Sequence, residues 1–287
     1  EKTAGTSHVL GRMLTRGTKT RTALDISKAF DDMAGSISGG SGNHTFFLKA
    51  DVLTEDFEPA FALFADCLLN PAFPPGELDK AKKRTLNAIA RQNDSLYQEG
   101  DQLLRRTLFK VSPYRLNRLG TPDSVKAMTS GTLAAYHRRA CTGPNGVVAI
   151  FGDVDVEKAK RLAAKLLGGL PPGKGATADV PVDKPLTEDV RAAKKSGKPG
   201  TALVYAAYPT CKMTDRKDRY ALLVLDGVMS GISLPGGWLH GELRGKGLVY
   251  VVHAYSFLGL RSPGYFGIYA MTPPDKVDEV IRIYDKN

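Results

Sequence analysis

Histidine side chains can bind metal ions, and the neighbours of His8 in the sequence determine which chemistry it can take part in. It lies in the run GTSHVLGR at residues 5–12, where Arg12 follows it by one helical turn on the same face. A catalytic zinc ion needs three protein ligands and a carboxylate that takes a proton from the metal-bound water. One imidazole cannot hold zinc tightly, and a guanidinium does not deprotonate to become a ligand. The run therefore predicts no complete zinc site in this chain.

The residues around His8 resemble the inverted zinc motif His-x-x-Glu-His of the pitrilysin/insulinase family. The family has a glycine before this motif and Met-Leu-x-x-Gly-Thr after it, and this chain has Gly5 before His8 and MLTRGT at residues 13–18. By this resemblance Gly11 replaces the general-base glutamate, and Arg12 replaces the second histidine ligand. The family's third ligand is a glutamate in a Val-Leu-x-Glu-Ile segment on a later helix, where this chain has Ala88. The resemblance implies a degenerate site that lacks two ligands and the base.

A second segment, ELRGKGLVY at residues 242–250, resembles the family's Leu-Arg-x-Lys-x-Gly-Leu-x-Tyr segment. The resemblance implies that Arg244 and Tyr250 bind the backbone of a peptide substrate and polarise its scissile carbonyl, near a zinc ion that belongs to another half of the enzyme. The spacing from Arg244 to Tyr250 is one residue shorter than in the family. The alternative is a structural arginine at a helix end and an ordinary strand tyrosine.

Further landmarks of the family follow in order along nearly the whole chain. They are LNPAFP at 69–74, SPY at 112–114 in place of His-Pro-Tyr, LGTP at 119–122, NGVV at 145–148 and FGDVD at 151–155. Enzymes of this family are clamshells of two halves around a chamber, and often one half holds zinc while the other holds the arginine and tyrosine. The resemblance implies that this chain is a half of the second kind, with no metal of its own and with zinc in its partner.

Composition bounds the class of protein. The chain has 287 residues, of which 42% are hydrophobic and 24% charged, as in a soluble globular protein with one large or two ordinary domains. A run of about 18 apolar residues, which a membrane-spanning helix needs, does not occur. The cysteines, Cys67, Cys141 and Cys211, lie too far apart in sequence to suggest a metal cluster or a disulfide framework.

The net charge of +10 raises nucleic acid as a partner. However, the basic residues are scattered, lack aromatic residues between them and match no nucleic-acid-binding module. The pattern favours a solvated surface or an acidic partner instead. The sequence leaves the compartment open, since the periplasm or cytoplasm of a bacterium and the matrix of an organelle all fit.

Periodicity predicts the elements that position these residues. Alternating apolar residues predict a strand over 46–52, and the apolar run VVAIF predicts a buried strand at 147–151. The run GGSG at 39–42 predicts a turn after a helix over 25–37, and the apolar run at 220–225 predicts a deeply buried helix over 218–229. Two strands at 248–255 and 264–271 are predicted as antiparallel partners. Other predicted helices cover 56–69, 76–95, 98–109, 156–167 and 238–244.

The predicted fold class is α+β, with two related α/β units of the pitrilysin/insulinase type. Each unit is expected to be a mixed, mostly antiparallel sheet with helices packed on it. The first predicted domain is 1–170, a linker rich in proline, glycine and lysine covers 171–200, and the second domain, 201–287, looks incomplete.

Three hypotheses follow for function. In the main one, the chain is a non-catalytic half or subunit of a zinc endopeptidase, in a heterodimer or in a longer chain. It closes the proteolytic chamber and presents peptide substrate to the zinc-bearing half. In the second, it is a purely structural scaffold, like the core proteins of the respiratory complex related to this family. The third, an autonomous peptidase with other ligands, is disfavoured because no second cluster of histidines and carboxylates has metal-binding spacing.

Overall fold

Helices and antiparallel strands are distributed over two units of the chain in the computed structural model, which describes residues 2–173, 181–232 and 234–286. The first unit comprises the described parts of Glu1–Ala90 and Asn117–Ala178, and the second those of Arg91–Leu116 and Asp179–Asn287. The predicted α+β class is confirmed. The domain bounds of 1–170, 171–200 and 201–287 stay a prediction, and residues 174–180 of the predicted linker lie outside the described residues.

Nine α-helices and strands lie wholly or mainly in the first unit, and several of the helices begin at a side chain that caps the first turn. For example, the helix Ala23–Asp32 (α2) starts with a capping box in which the hydroxyl of Thr22 accepts from the Asp25 N–H and the Asp25 carboxylate accepts from the Thr22 N–H. The elements are α1 Thr6–Met13, α2 Ala23–Asp32, β1 Ser36–Ser41, β2 Phe46–Asp51, α3 Phe57–Leu69, α4 Pro75–Gln92, α6 Pro122–Lys126, α7 Ser130–Ala140 and α8 Val156–Leu167.

Helix α1 lies at the centre of the first unit. The side chains of Val9, Leu10 and Met13 are fully buried, and they pack with residues of α4 and α7 such as Leu78 and Leu133. An apolar face that repeats at helical spacing is buried against neighbouring elements, so it holds the helix in place. The chemistry-bearing positions of α1 are therefore set by a packed core.

The first three residues of the GGSG stretch predicted as a turn, Gly39, Gly40 and Ser41, belong to strand β1. This strand pairs with β2 in antiparallel register, with Gly39 opposite Leu48 and Gly40 opposite Phe47. The turn prediction is wrong because it used the local preference of glycine alone. Because these glycines have no side chain, helix α1 can lie close to the backbone of the strand.

The predicted buried strand at 147–151 is also wrong. The segment has no strand pairing, and Val147 and Phe151 are 95% and 92% exposed. A strand needs a neighbour for its backbone hydrogen bonds. None of the strands in the described part of the chain lies beside this segment.

The second unit is a three-stranded antiparallel sheet with helices on both faces. The strand order is β3-β5-β4, and Tyr205, Tyr269 and His253 lie across from one another. The predicted antiparallel pairing of the last two strands is confirmed. The elements are α5 Leu96–Leu108, β3 Ala202–Pro209, α9 Arg216–Ser230, a π-helical turn His240–Arg244, β4 Val251–Phe257, β5 Tyr265–Thr272 and α10 Val277–Lys286.

Strand β5 shows why helices pack on both faces of this sheet. Phe266 and Ile268 point to one face, where they pack with α10, while Tyr265 and Tyr269 point to the other face, toward α5. Both faces of a central strand are then apolar or aromatic, as its sequence YFGIYAMT requires.

Helix α9 is less buried than its apolar run predicts. Leu222 and Met229 pack against the core of the second unit, but Leu223 and Val224 are 53% and 68% exposed. Within the described residues, one face of α9 contacts the sheet and the rest faces outward. No helix in the described ranges is long and apolar enough to cross a membrane.

Candidate functional site

Helix α1 carries the candidate site, and a glycine determines where this helix begins. The helix begins after Gly5, whose φ of 83° places it in the left-handed region that favours glycine. A side chain at Gly5 would also collide with the backbone of Leu119. The start of α1, and with it the position of His8, therefore depends on a residue without a Cβ atom.

His8 is half-buried on α1 and is held in its neutral form. Burial, together with the guanidinium groups of Arg12 and Arg118, lowers the pKa of His8 from 6.5 to about 4. A neutral imidazole is the form that binds metal. Even so, the charges that keep it neutral would also repel a divalent cation.

Gly11 is buried where α1 crosses strand β1. A Cβ atom at Gly11 would lie closer than 3.0 Å to the backbone of Gly40, and one at Gly39 would collide with the carbonyl group of Gly11. Backbone atoms in a paired strand cannot move aside at low cost. The position that the sequence assigned to a lost general base is therefore also a packing contact between two backbones.

Arg12 is exposed and lines a shallow cleft with about 270 Å³ of free space. The other lining residues come from the end of α1 and from α4, and they are Arg16, Glu77, Lys80, Ala81 and Arg84. The Lys80 ammonium group lies 2.6 Å from the Glu77 carboxylate. The cleft therefore has four cationic side chains and one carboxylate that is already paired.

Ala88 lies on α4, half-buried, and offers a methyl group where a metal site would need a carboxylate. Among His8, Gly11, Arg12 and Ala88, only the His8 imidazole could therefore serve as a metal ligand. Nor does any group of three or more His, Cys, Asp or Glu side chains in the described residues have the geometry to hold a metal ion. These residues do not fit a catalytic zinc ion, which needs three ligands.

Arg244 and Tyr250 lie in the second unit, on the segment that joins the π-helical turn to β4. Arg244 ends that turn and is exposed, while Tyr250 is 63% exposed and its N–H donates to the Met271 carbonyl at 2.8 Å. Between them, Leu248 and Val249 are buried in the core of the unit. Buried residues thus fix the backbone of the segment while the guanidinium and the phenol stay accessible.

Sequence reasoning missed a partly buried network of tyrosines in the second unit. The hydroxyl groups of Tyr205 and Tyr265 both hydrogen-bond to that of Tyr255, and the Tyr265 hydroxyl donates to Asp101 on α5 at 3.1 Å. Asp101 also accepts from Arg105 Nε at 2.8 Å. Burial raises the pKa of all three phenols above the usual range.

This network attaches α5 to the sheet. Its sequence signal is weak, because Tyr265 and Tyr269 alternate on β5 as in any strand, and only the fold brings Asp101 to them. The cationic cleft was missed for the same reason. Its residues are separated in sequence, and each cation alone resembles an ordinary surface residue.

Together, the α+β units and the motif around His8 define a peptidase-like protein. The sequence model described as insulinase, peptidase family M16, matches residues 1–122, and the one described as peptidase M16 inactive domain matches residues 127–286. The chain belongs to peptidase family M16. The family resemblance inferred from the motifs is thereby confirmed.

Curated relatives support the same assignment. The chain is 30% identical over 289 residues to an uncharacterized zinc protease of Streptomyces coelicolor, covering 97% of this chain and 61% of that protein. It is 24% identical over 293 residues to a probable mitochondrial-processing peptidase subunit beta of Arabidopsis thaliana, covering 98% of this chain and 54% of that protein. The chain thus spans about three fifths of the first relative and about half of the second.

Solved structures share the fold. A peptidase M16 inactive domain from Pseudomonas fluorescens matches with a TM-score of 0.83 at 22% identity, over 98% of this chain and 68% of that one. A protease from Helicobacter pylori matches with a TM-score of 0.86 at 18% identity, over 99% of this chain and 70% of that one. At these identities the likeness concerns the fold alone.

Proposed function

We propose that this chain is a non-catalytic half of an M16 zinc endopeptidase, as a subunit or as part of a longer protein. It closes the proteolytic chamber and binds peptide substrate through Arg244 and Tyr250 for a zinc-bearing half. The observation that carries the proposal is Gly11. This residue stands where the family has its base, and its contact with Gly40 leaves no room for a carboxylate. The chain then depends on another half for hydrolysis.

The accessible side chains of the second unit support the substrate-binding part of the proposal. The guanidinium of Arg244 has five N–H donors in a fixed fork, which suits peptide carbonyl and carboxylate oxygens. The phenol of Tyr250 is a single donor that can stabilise the developing oxyanion of a scissile carbonyl. Among the described residues Arg244 forms no ion pair, and the phenol of Tyr250 is largely exposed, so both are available to a ligand.

Cleavage of a quenched fluorescent peptide tests the proposal. The chain is assayed alone and mixed with a zinc-bearing M16 chain encoded in the same genome, each with and without a chelator. Activity that rises only in the mixture and disappears with chelator is expected. Activity of the chain alone would contradict the loss of chemistry at Gly11, Arg12 and Ala88. No gain with the zinc-bearing chain would favour the scaffold hypothesis.

A double variant separates substrate binding from mere assembly. Arg244→Gln/Tyr250→Phe is compared with the matched control Arg216→Gln/Tyr220→Phe, which changes the same residue types on the exposed side of α9. Only the first variant is expected to lower turnover of the mixture. Equal turnover in both variants and the unchanged chain would reject the assigned roles of Arg244 and Tyr250.

A further inference from the structure

The cleft beside the degenerate site has an unusual balance of charge. Four cationic side chains line it, from Arg12, Arg16, Lys80 and Arg84, against the single carboxylate of Glu77. That carboxylate is already engaged by Lys80 at 2.6 Å. Within the described ranges, none of the three arginines forms an ion pair. The cleft therefore has an uncompensated positive charge.

Helical geometry explains why the cations converge. Lys80 and Arg84 are one turn apart on the same face of α4, and Ala88 lies one turn further along that face. Arg12 and Arg16 are likewise four residues apart, and a hydrogen bond from the Arg16 N–H to the Met13 carbonyl continues the turn at the end of α1. Two pairs of cations thus approach one cleft from two elements that the core of the unit holds in place.

This arrangement has a chemical preference. A cleft lined by charges of one sign concentrates their field and attracts counter-ions of the opposite sign. Guanidinium groups bind carboxylate and phosphate oxygens through two parallel hydrogen bonds, and these charge-assisted bonds are stronger than neutral ones. The cavity volume of about 20 Å³ is room for about one water molecule, so an oxyanion group would be held at the surface of the cleft by the exposed guanidinium groups.

We propose that this cleft is an oxyanion-binding site, which takes a phosphate or carboxylate group between the guanidinium groups of Arg12, Arg16 and Arg84. Of the positions that the family resemblance assigns to the metal site, only Arg12 lines this cleft. A cation at that position attracts anions and repels a divalent cation. This inference does not depend on the proposed function, because it concerns the first unit alone.

Two probes distinguish the source of the oxyanion. Inorganic phosphate represents a free ion and is titrated by calorimetry at ionic strength held constant with sodium chloride. A fluorescein-labelled hexaglutamate peptide represents a side-chain carboxylate and is titrated by fluorescence anisotropy, with hexaglutamine as the uncharged control. Binding of at least one probe, weakened by added salt, is expected. Phosphate alone would identify a free oxyanion as the ligand, and hexaglutamate alone a carboxylate of a peptide.

Matched variants locate the binding. Arg12→Gln/Arg84→Gln removes two charges from the cleft, and Lys83→Gln/Arg161→Gln removes two charges from exposed positions elsewhere in the same unit. The cleft variant should weaken binding by about tenfold or more, since each lost charged hydrogen bond is worth that much. The control should bind like the unchanged chain. Equal weakening in both variants, or no binding of either probe, would overturn the proposal. Because all four side chains are exposed, thermal unfolding should be unchanged.

Discussion

The backbone of Gly40 on β1 occupies the space that a side chain on Gly11 of α1 would need. A Cβ atom at Gly11 would lie closer than 3.0 Å to the carbonyl group of Gly40. The contact joins the helix that carries His8 to a strand of the same unit. The same glycine permits this packing and leaves no room for a carboxylate at the position that the family resemblance assigns to the base.

Gly11→Ala should destabilise the first unit by about 1–3 kcal/mol, the usual cost of overpacking a filled interior. Helix propensity alone would favour alanine by about 1 kcal/mol, so the sign of the change decides which effect wins. Thermal unfolding followed by circular dichroism measures it. Gly76→Ala is the matched control, because it also lies in a helix but has open space around its Cβ position. An equal or higher melting temperature for Gly11→Ala would show that the contact carries no strain.

His8 should make the chain less stable in acid. Burial and the charges of Arg12 and Arg118 lower its pKa from 6.5 to about 4, so the folded chain holds the proton less tightly than the unfolded chain does. Its contribution is fully present above pH 6.5 and is lost as the pH falls to about 4. His8→Gln should flatten the stability curve in that window.

Urea unfolding at a series of pH values tests this prediction. His44→Gln is the control, since it removes a histidine of the same unit outside α1. A curve for His8→Gln that stays parallel to the curve of the unchanged chain between pH 6.5 and 4 would contradict the assignment.

Asp101→Asn should destabilise the second unit by about 2–4 kcal/mol. The substitution leaves the Arg105 cation without its counter-charge, and both side chains are about one fifth exposed, at 18% and 20%. Because the pair is not fully buried, the expected loss of stability lies below the 3–5 kcal/mol typical of a fully buried pair. The only tryptophan of the chain, Trp238, lies in this unit, so its fluorescence during urea unfolding reports the change.

Glu242→Gln is the control for Asp101→Asn, because it lies in the same unit as Trp238. It breaks an ion pair with Lys246 whose side chains are 41% and 56% exposed, and such a pair contributes about 0–1 kcal/mol. If both substitutions changed stability equally, the partly buried network would have no special role in holding α5 to the sheet.

Tyr250→Phe should lower the activity of an assembled enzyme without changing stability, because the side chain is 63% exposed. If the proposed function holds, loss of one oxyanion donor lowers kcat by about 100-fold or more, with a smaller effect on KM. Steady-state kinetics of the mixture with a zinc-bearing chain measure the effects on kcat and on KM separately. An unchanged kcat would place Tyr250 outside the reaction.

The identity of the family could be predicted from residue types alone, and the hypothesis that its chemistry is lost rests on the same residues. Ligand chemistry is local, since Arg12 and Ala88 cannot bind zinc whatever surrounds them. Most helices and the pairing of β4 with β5 could also be predicted, because periodicity follows from which face is buried. These inferences needed no knowledge of distant contacts.

Other features depend on contacts between residues far apart in sequence, so only the tertiary structure decided them. The glycines of β1 form a strand because they pair with β2, although glycine alone favours a turn, and they leave room for α1 to approach the strand. The run at 147–151 has the composition of a strand but lies exposed, because no neighbouring strand is present in the described chain. Likewise, Arg12 and Arg84 become one cationic cleft only because the packed cores of α1 and α4 bring them to the same surface.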